Sequence, residues 1–249
     1  YKKYNSNLLY HGCIPMKEDG SFAELTIGEK TYSGRSLMDY LEEQIKKAYF
    51  LPAEDPEKEN AADLMWYLWC GASSPVFGKD KMATFEHYFI EDKSVGKEIL
   101  NPYYRLSLDE ACCDRILEEF GLPKEGSHII NGHAPVKSKA GESPIKCGGK
   151  VLVIDGGFSR AYQKETGIAG YTLIYNSYGL ILAAHEPFES TEAAIEKESD
   201  IHSDSIVVKR TLARKTVGDT DIGRGLKAQI RDLNELLAAY RSGLIPEKL

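Results

Sequence analysis

Leu8-Leu9-Tyr10-His11-Gly12 and Ile129-Ile130-Asn131-Gly132-His133 decide how this chain is read. Each is a short apolar run that stops at a glycine turn carrying a histidine, the pattern of a strand delivering an imidazole to its end. A third run, Val151-Leu152-Val153-Ile154, stops in the same way at Asp155-Gly156-Gly157, where glycines let a ligand or another backbone approach closely. In open sheets covered by helices, ligands collect beyond the strand ends. Neutral imidazole ligates Zn, Fe, Co or Mn, so His11 and His133 are candidate partners in one metal site. On pattern alone a strand-end histidine is more often a surface or hydrogen-bonded residue than a ligand, and that reading stays open. His87, His128, His185 and His202 lack the flanking glycine and read as structural or solvated.

Around these strands the spacing predicts helices. From Ser36 to about Phe50, apolar residues Leu37, Tyr40, Leu41, Ile45 and Ala48 recur at helical intervals, with Ser36 as the cap and Asp39 in the first turn. Pro52 to Asn60 reads as a charged break, and Ala61 to Cys70 as a second, aromatic-rich helix ending at Gly71. The segment from Gly71 to Lys81 reads as a long loop. Ser107-Leu108-Asp109-Glu110 has the form of a capping box, opening a helix that ends at Gly121. Tyr171 to Tyr175 and Leu180 to Ala184 read as a hairpin around Asn176-Ser177-Tyr178-Gly179. Asp221 is expected to cap a last helix whose stripe, Ile222, Leu226, Ile230, Leu233, Leu237 and Tyr240, packs on the body. The fold class is therefore mixed α/β (α+β), with mixed β-sheets flanked by helices and a C-terminal amphipathic helix.

Composition narrows the function. The 249 residues carry 31 Lys+Arg against 38 Asp+Glu, a formal net charge of −7. That argues against a general nucleic-acid binder, which needs clustered cations. No apolar run reaches the roughly 18 residues of a membrane span, so no membrane partner is expected. The opening Tyr1-Lys2-Lys3-Tyr4-Asn5 is polar and is not a secretory signal; without an initiator Met, Tyr1 is not expected to be the natural start. Five cysteines without a CxxC pair read as reduced thiols of a cytoplasmic protein. Lys79 and Lys81 flank Asp80 in a glycine-containing loop and can hold a phosphate as point charges, although a solvated turn explains them too. Arg160 follows the Asp155 turn and can reach an anionic substrate or remain on the surface. Asp219 and Asp221 form a possible carboxylate pair, but capping explains Asp221 more simply.

Further stretches carry a resemblance. They are Leu8 to Met16, Trp69-Cys70-Gly71, Ser74-Pro75-Val76-Phe77-Gly78-Lys79-Asp80-Lys81-Met82, Ile130-Asn131-Gly132-His133-Ala134-Pro135-Val136 and Ile154-Asp155-Gly156-Gly157-Phe158. Thr166-Gly167-Ile168-Ala169-Gly170-Tyr171-Thr172-Leu173 and Asp219-Thr220-Asp221-Ile222-Gly223 complete the set. Together they resemble the C-terminal part of class 3 fructose-1,6-bisphosphatases of Firmicutes, a family similar to the calcineurin-like metallophosphoesterases.

The resemblance implies a partial calcineurin-like sandwich of mixed sheets, with residues 1–200 as the second half of the phosphatase domain. A helical insert would occupy about 36–121, and 201–249 would form a C-terminal segment and helix. It implies a binuclear Mn²⁺ site with His11 and His133 on the same ion. The reaction implied is hydrolysis of fructose 1,6-bisphosphate to fructose 6-phosphate and phosphate, in gluconeogenesis. Lys79, Lys81 and Arg160 are expected near the substrate from charge and loop placement. The family's earlier motifs, Asp-x-His, Gly-Asp-x-x-Asp-Arg-Gly and Gly-Asn-His-Asp/Glu, do not occur in these residues. The catalytic groups are therefore expected upstream of Tyr1, and the chain alone is expected to be inactive. Two alternatives stand beside this: another metallophosphoesterase, such as a phosphoprotein phosphatase, and a non-catalytic regulatory or assembly module. In the latter, the last helix and the insert from Ala53 to Asn60 would contact other subunits of a homo-oligomer.

Overall fold

The computed structural model describes residues 1–157, 159–168, 170–188, 190–198, 203–211 and 213–246. In chain order it has β1 (Lys2–Tyr4), β2 (Asn7–Leu9), β3 (Glu24–Ile27), β4 (Lys30–Ser33), α1 (Gly34–Phe50), α2 (Pro56–Cys70), α3 (Glu86–Phe89), α4 (Tyr103–Leu106) and α5 (Glu110–Glu119). There follow β5 (His128–Asn131), β6 (Ile145–Lys146), β7 (Val151–Val153), α6 (Arg160–Thr166), β8 (Gly170–Asn176), β9 (Gly179–His185), α7 (Thr191–Glu196), β10 (Ser203–Arg210) and α8 (Asp221–Arg241). Sheets and helices alternate, as the mixed α/β reading expects.

Two compact units are present, Tyr1–Thr172 with Ala183–Asp204, and Leu173–Leu182 with Ser205–Leu249. The first is built on a five-stranded sheet in the order β1-β2-β5-β7-β6. Its three central strands, β2, β5 and β7, are parallel, with Leu9 opposite Ile130 and Ile130 opposite Leu152. β1 and β6 pair antiparallel at the two edges. Parallel strands covered on both faces read as continuous apolar runs rather than alternating ones. Leu8, Ile129 and Leu152 are accordingly fully buried. Across the unit, α1 and α2 close a second cluster around Leu37, Leu41 and Leu68. Lys150, at the start of β7, ties the sheet to α5 through Glu110 at 2.8 Å and Asp114.

The helix starts differ from their sequence reading, and capping explains why. α1 begins at Gly34, with Ser33 as the cap; Ser36 sits inside the first turn, where its Oγ accepts the Ser33 N–H at 3.1 Å. α2 begins at Pro56, so the segment read as a break is its first turn. Asp55 accepts the Glu57 N–H at 2.9 Å, and proline at the first helical position forfeits a donor that has no partner there. Asp109, not Ser107, caps α5 by accepting the Cys112 N–H at 3.0 Å. Gly121, at φ +69°, ends α5 in the left-handed conformation expected of it. Thr220, not Asp221, caps α8 through the Gly223 N–H, and Asp221 pairs with Arg224.

In the second unit, β8 and β9 flank the turn at Ser177-Tyr178, and the three-stranded sheet runs β10-β9-β8. Gly179 is required there, because a Cβ would lie against the Lys209 carbonyl. Within this unit the apolar stripe of α8 is not covered: Ile222, Leu226, Ile230, Leu233, Leu237 and Tyr240 are each at least 42% exposed. Among the described residues, no helix is long and apolar enough to cross a membrane.

Replacing Asp55 or Asp109 by Ala removes one cap each and is expected to cost about 1 kcal/mol. Thermal melts followed by circular dichroism should show a drop of about 2–4 °C for each variant, with the folded spectrum retained.

Candidate metal centre

The C-terminal ends of β2, β5 and β7 lie side by side, and their hydrogen-bond ladder continues past the last strand residues. Tyr10 N–H donates to the Ile130 carbonyl at 3.1 Å, Gly132 N–H to the His11 carbonyl at 2.8 Å, and Ile154 N–H to the Asn131 carbonyl at 2.9 Å. These bonds set the three turns in register. They bring the two candidate histidines together although 122 positions separate them: His11 Nε2 and His133 Nδ1 are 3.1 Å apart, with ring planes at 69°.

The tautomer of His133 follows from its other nitrogen. Nε2 lies 2.8 Å from the Phe77 carbonyl oxygen, which can only accept, so Nε2 carries the proton and Nδ1 presents its lone pair towards His11. Ligating histidines are commonly fixed in this way, by a second bond to a carbonyl. Burial, His11 and Lys79 hold the His133 imidazole below its ordinary pKa, against the opposing pull of the Phe77 carbonyl and Asp155. The ring therefore stays neutral, the form that ligates. Two nitrogens each about 2.1 Å from one ion at right angles lie about 3.0 Å apart, so the observed spacing fits two ligands of one cation. Among the described residues, no set of three His, Cys, Asp or Glu is arranged to hold a metal. The pair fits as part of a donor set.

The carbonyl that holds His133 belongs to the loop after α2. Ser74 is fully buried, and its Oγ donates to the Leu68 carbonyl while accepting the Val76 and Phe77 N–H groups at 3.2 Å. This turn lies on Gly12: Cys13 N–H donates to the Pro75 carbonyl at 2.9 Å, and a Cβ at position 12 would be 2.5 Å from the Pro75 oxygen. Glycine at 12 is thus a steric requirement of the loop that orients His133. His133 itself has φ +67°, a conformation that non-glycine residues adopt at a cost and that clusters at functional sites.

The remaining candidates divide. Lys79 is near enough to His133 to depress its pKa, but its ammonium is paired with Glu98 and lies 5.6 Å from the Phe77 ring centroid. The Lys81 ammonium donates to the Val95 carbonyl at 2.7 Å. Arg160 is the first residue of α6, and its side chain lies outside the described residues, as does His202. Asp155 accepts the Gly157 N–H at 2.9 Å, shaping its own turn. Asp219 accepts from Thr216, again a turn role. His185 bonds to Thr172 and Ser203, and His128 to the Gly149 carbonyl, as structural histidines do. All five cysteines are free, and burial pushes the Cys13 thiol up to about 12, which removes it as a nucleophile. Residue pattern gives no role to Ser74 or to the Phe77 carbonyl, both inside a quoted stretch, and marks Asn131 only as part of a turn.

With this geometry established, comparisons with known proteins identify the family. The family model described as Firmicute fructose-1,6-bisphosphatase matches residues 1–242. A class 3 fructose-1,6-bisphosphatase from Clostridium tetani is 59% identical over 249 residues, covering all of this chain and 38% of the relative. Proteins of the same name from Clostridium novyi and Clostridium botulinum are 58% and 57% identical over 248 residues, with 37% of each relative covered. The chain thus spans well under half the length of the curated relatives it matches, and no solved structure matches it. A match across nearly the whole chain places it in the Firmicute fructose-1,6-bisphosphatase family.

Proposed function

We propose that this chain is part of a metal-dependent sugar bisphosphatase that hydrolyses fructose 1,6-bisphosphate to fructose 6-phosphate and phosphate. In this reading His11 and His133 are two ligands of one cation in a binuclear Mn²⁺ site of the metallophosphoesterase type. The observation that carries it is the convergence of His11 Nε2 and His133 Nδ1 at 3.1 Å, with the other His133 nitrogen already committed to a carbonyl. The names of the relatives support the substrate.

The reaction is demanding, because uncatalysed phosphomonoester hydrolysis needs accelerations of up to ~10²¹. A bound metal pair supplies Lewis-acid stabilisation of the phosphoryl oxygens and a more acidic water. The chain's own residues prepare the site. The Phe77 carbonyl holds His133 in the tautomer whose Nδ1 is free. Transfer of the His11 proton from Nε2 to Nδ1 frees the second lone pair. Lys79 stands near this pair, with its ammonium on Glu98, itself held by the Ala83 N–H at 2.9 Å; a phosphorylated substrate would take the Lys79 ammonium over from that carboxylate. The remaining ligands and the groups that activate water are assigned to other parts of the full-length protein. A cytoplasmic location accords with free thiols and a sugar-phosphate substrate.

In the full-length protein, His11→Ala and His133→Ala should each lower Mn²⁺ affinity and turnover of fructose 1,6-bisphosphate by more than ~100-fold. Wild-type turnover in both variants would end the reading. Exclusive activity on a phosphoprotein would replace the substrate assignment. The 249-residue chain alone should release no phosphate with Mn²⁺ in a malachite-green assay. Ser74→Ala, which frees the Phe77 carbonyl from its turn, should weaken Mn²⁺ binding about tenfold, measured by calorimetry on the full-length protein.

A further inference from the structure

A buried polar chain ties the two histidine turns together. Asn131, the last residue of β5, is 3% exposed. Its Nδ2 donates to the Gly12 carbonyl at 3.0 Å and to the Tyr103 hydroxyl at 3.1 Å. Both amide hydrogens are thereby used. The Tyr103 hydroxyl in turn lies 2.6 Å from that of Tyr10, and both tyrosines are buried, Tyr103 completely. Tyr10 precedes His11 in the chain, Gly12 follows it, and Asn131 stands two residues before His133. The chain therefore grips the first turn on both sides of its histidine and anchors it to the strand that delivers the second.

The cost of this arrangement is visible. Among the described residues, Asn131 Oδ1 is buried with no hydrogen-bond partner. An apolar residue of similar volume, in a strand whose neighbours Ile129 and Ile130 are themselves buried, would remove that penalty but would take the amide away from the Gly12 carbonyl and the Tyr103 hydroxyl. A residue kept against the local packing preference points to a task other than packing.

We propose that Asn131 is a positioning residue, which, with Tyr103 and Tyr10 behind it, fixes the separation of His11 and His133. The inference rests on the metal-site reading above. Asn131 touches neither substrate nor cation. It holds the Gly12 carbonyl, and with it the turn that aims His11, adding a side-chain tie to the main-chain bonds from Gly132 to His11 and from Cys13 to Pro75.

The test uses the full-length protein and Mn²⁺ alone, with free Mn²⁺ counted by electron paramagnetic resonance and melting temperature recorded in parallel. Asn131→Leu should weaken Mn²⁺ binding 10- to 100-fold, the range of roughly 10–100-fold seen for groups that orient metal ligands. Tyr103→Phe should weaken it about threefold or more, and the double variant should fall short of the product of the two, as expected for members of one network. The loss should appear in affinity and kcat at near-constant KM, with the melting temperature changing too little to account for it. Mn²⁺ affinity within twofold of wild type in either folded variant overturns the proposal, as does a loss that tracks the melting temperature. If Asn131→Leu does not accumulate as folded protein, Tyr103→Phe decides by the same threefold criterion. His133→Ala, run alongside, separates the two levels. Unchanged binding there removes the metal site itself, whereas lost binding there with normal binding in the Asn131 and Tyr103 variants removes only the positioning role.

Discussion

The hydrogen bond from Gly132 N–H to the His11 carbonyl, at 2.8 Å, is the constraint on which the site depends. It extends the parallel pairing of β2 and β5 one step beyond the strands, into the two turns that carry imidazoles. Register in a parallel sheet is unforgiving, because a slip of one residue sends each side chain to the opposite face. With Leu9 opposite Ile130, the two rings meet. A one-step shift of either strand would part them. The buried runs Leu8-Leu9 and Ile129-Ile130 thus do more than form a core; their pairing sets the geometry of the chemistry.

The loop between α2 and α3 completes that geometry from the other side. It contributes no charged ligand, only the Phe77 carbonyl, yet that oxygen selects the His133 tautomer. His133 is held at φ +67°, at a cost on the order of 1–2 kcal/mol for a residue with a Cβ. Glycine would sit there without strain, so the imidazole must be retained for what its ring does. The loop, the strained backbone and the depressed basicity of the ring all act on one nitrogen.

Much of this was legible in the residues and some was not, for physical reasons. The three central strands and the histidine pair were readable because apolar runs stopped by glycine are local patterns. So was the β8–β9 hairpin, whose turn residues announce it. The starts of α1, α2, α5 and α8 were misplaced because several residues in each region can cap, and only the folded backbone selects Ser33, Asp55, Asp109 and Thr220. The edge strands β1 and β6 escaped notice because Lys2-Lys3-Tyr4 and Ile145-Lys146 have no strand pattern of their own and form only against β2 and β7. Lys79 and Lys81 looked alike in sequence. In the fold both are occupied, Lys79 by Glu98 beside His133 and Lys81 by the Val95 carbonyl. Ser74 and Phe77 stand in a stretch that carries the family resemblance, but nothing in it marks their roles, since a buried hydroxyl and a peptide oxygen acquire meaning only through what packs against them.

One cysteine has a practical consequence. Cys13 sits directly after the Gly12 turn, sealed from solvent, with its thiol pushed up to about 12. At neutral pH it stays a thiol, so maleimides and iodoacetamide will pass it by. Cys70 and Cys147, only partly covered, are the handles that such reagents can find. Fluorophores or spin labels can therefore be attached to the native sulfurs without a preliminary cysteine knockout beside the histidines.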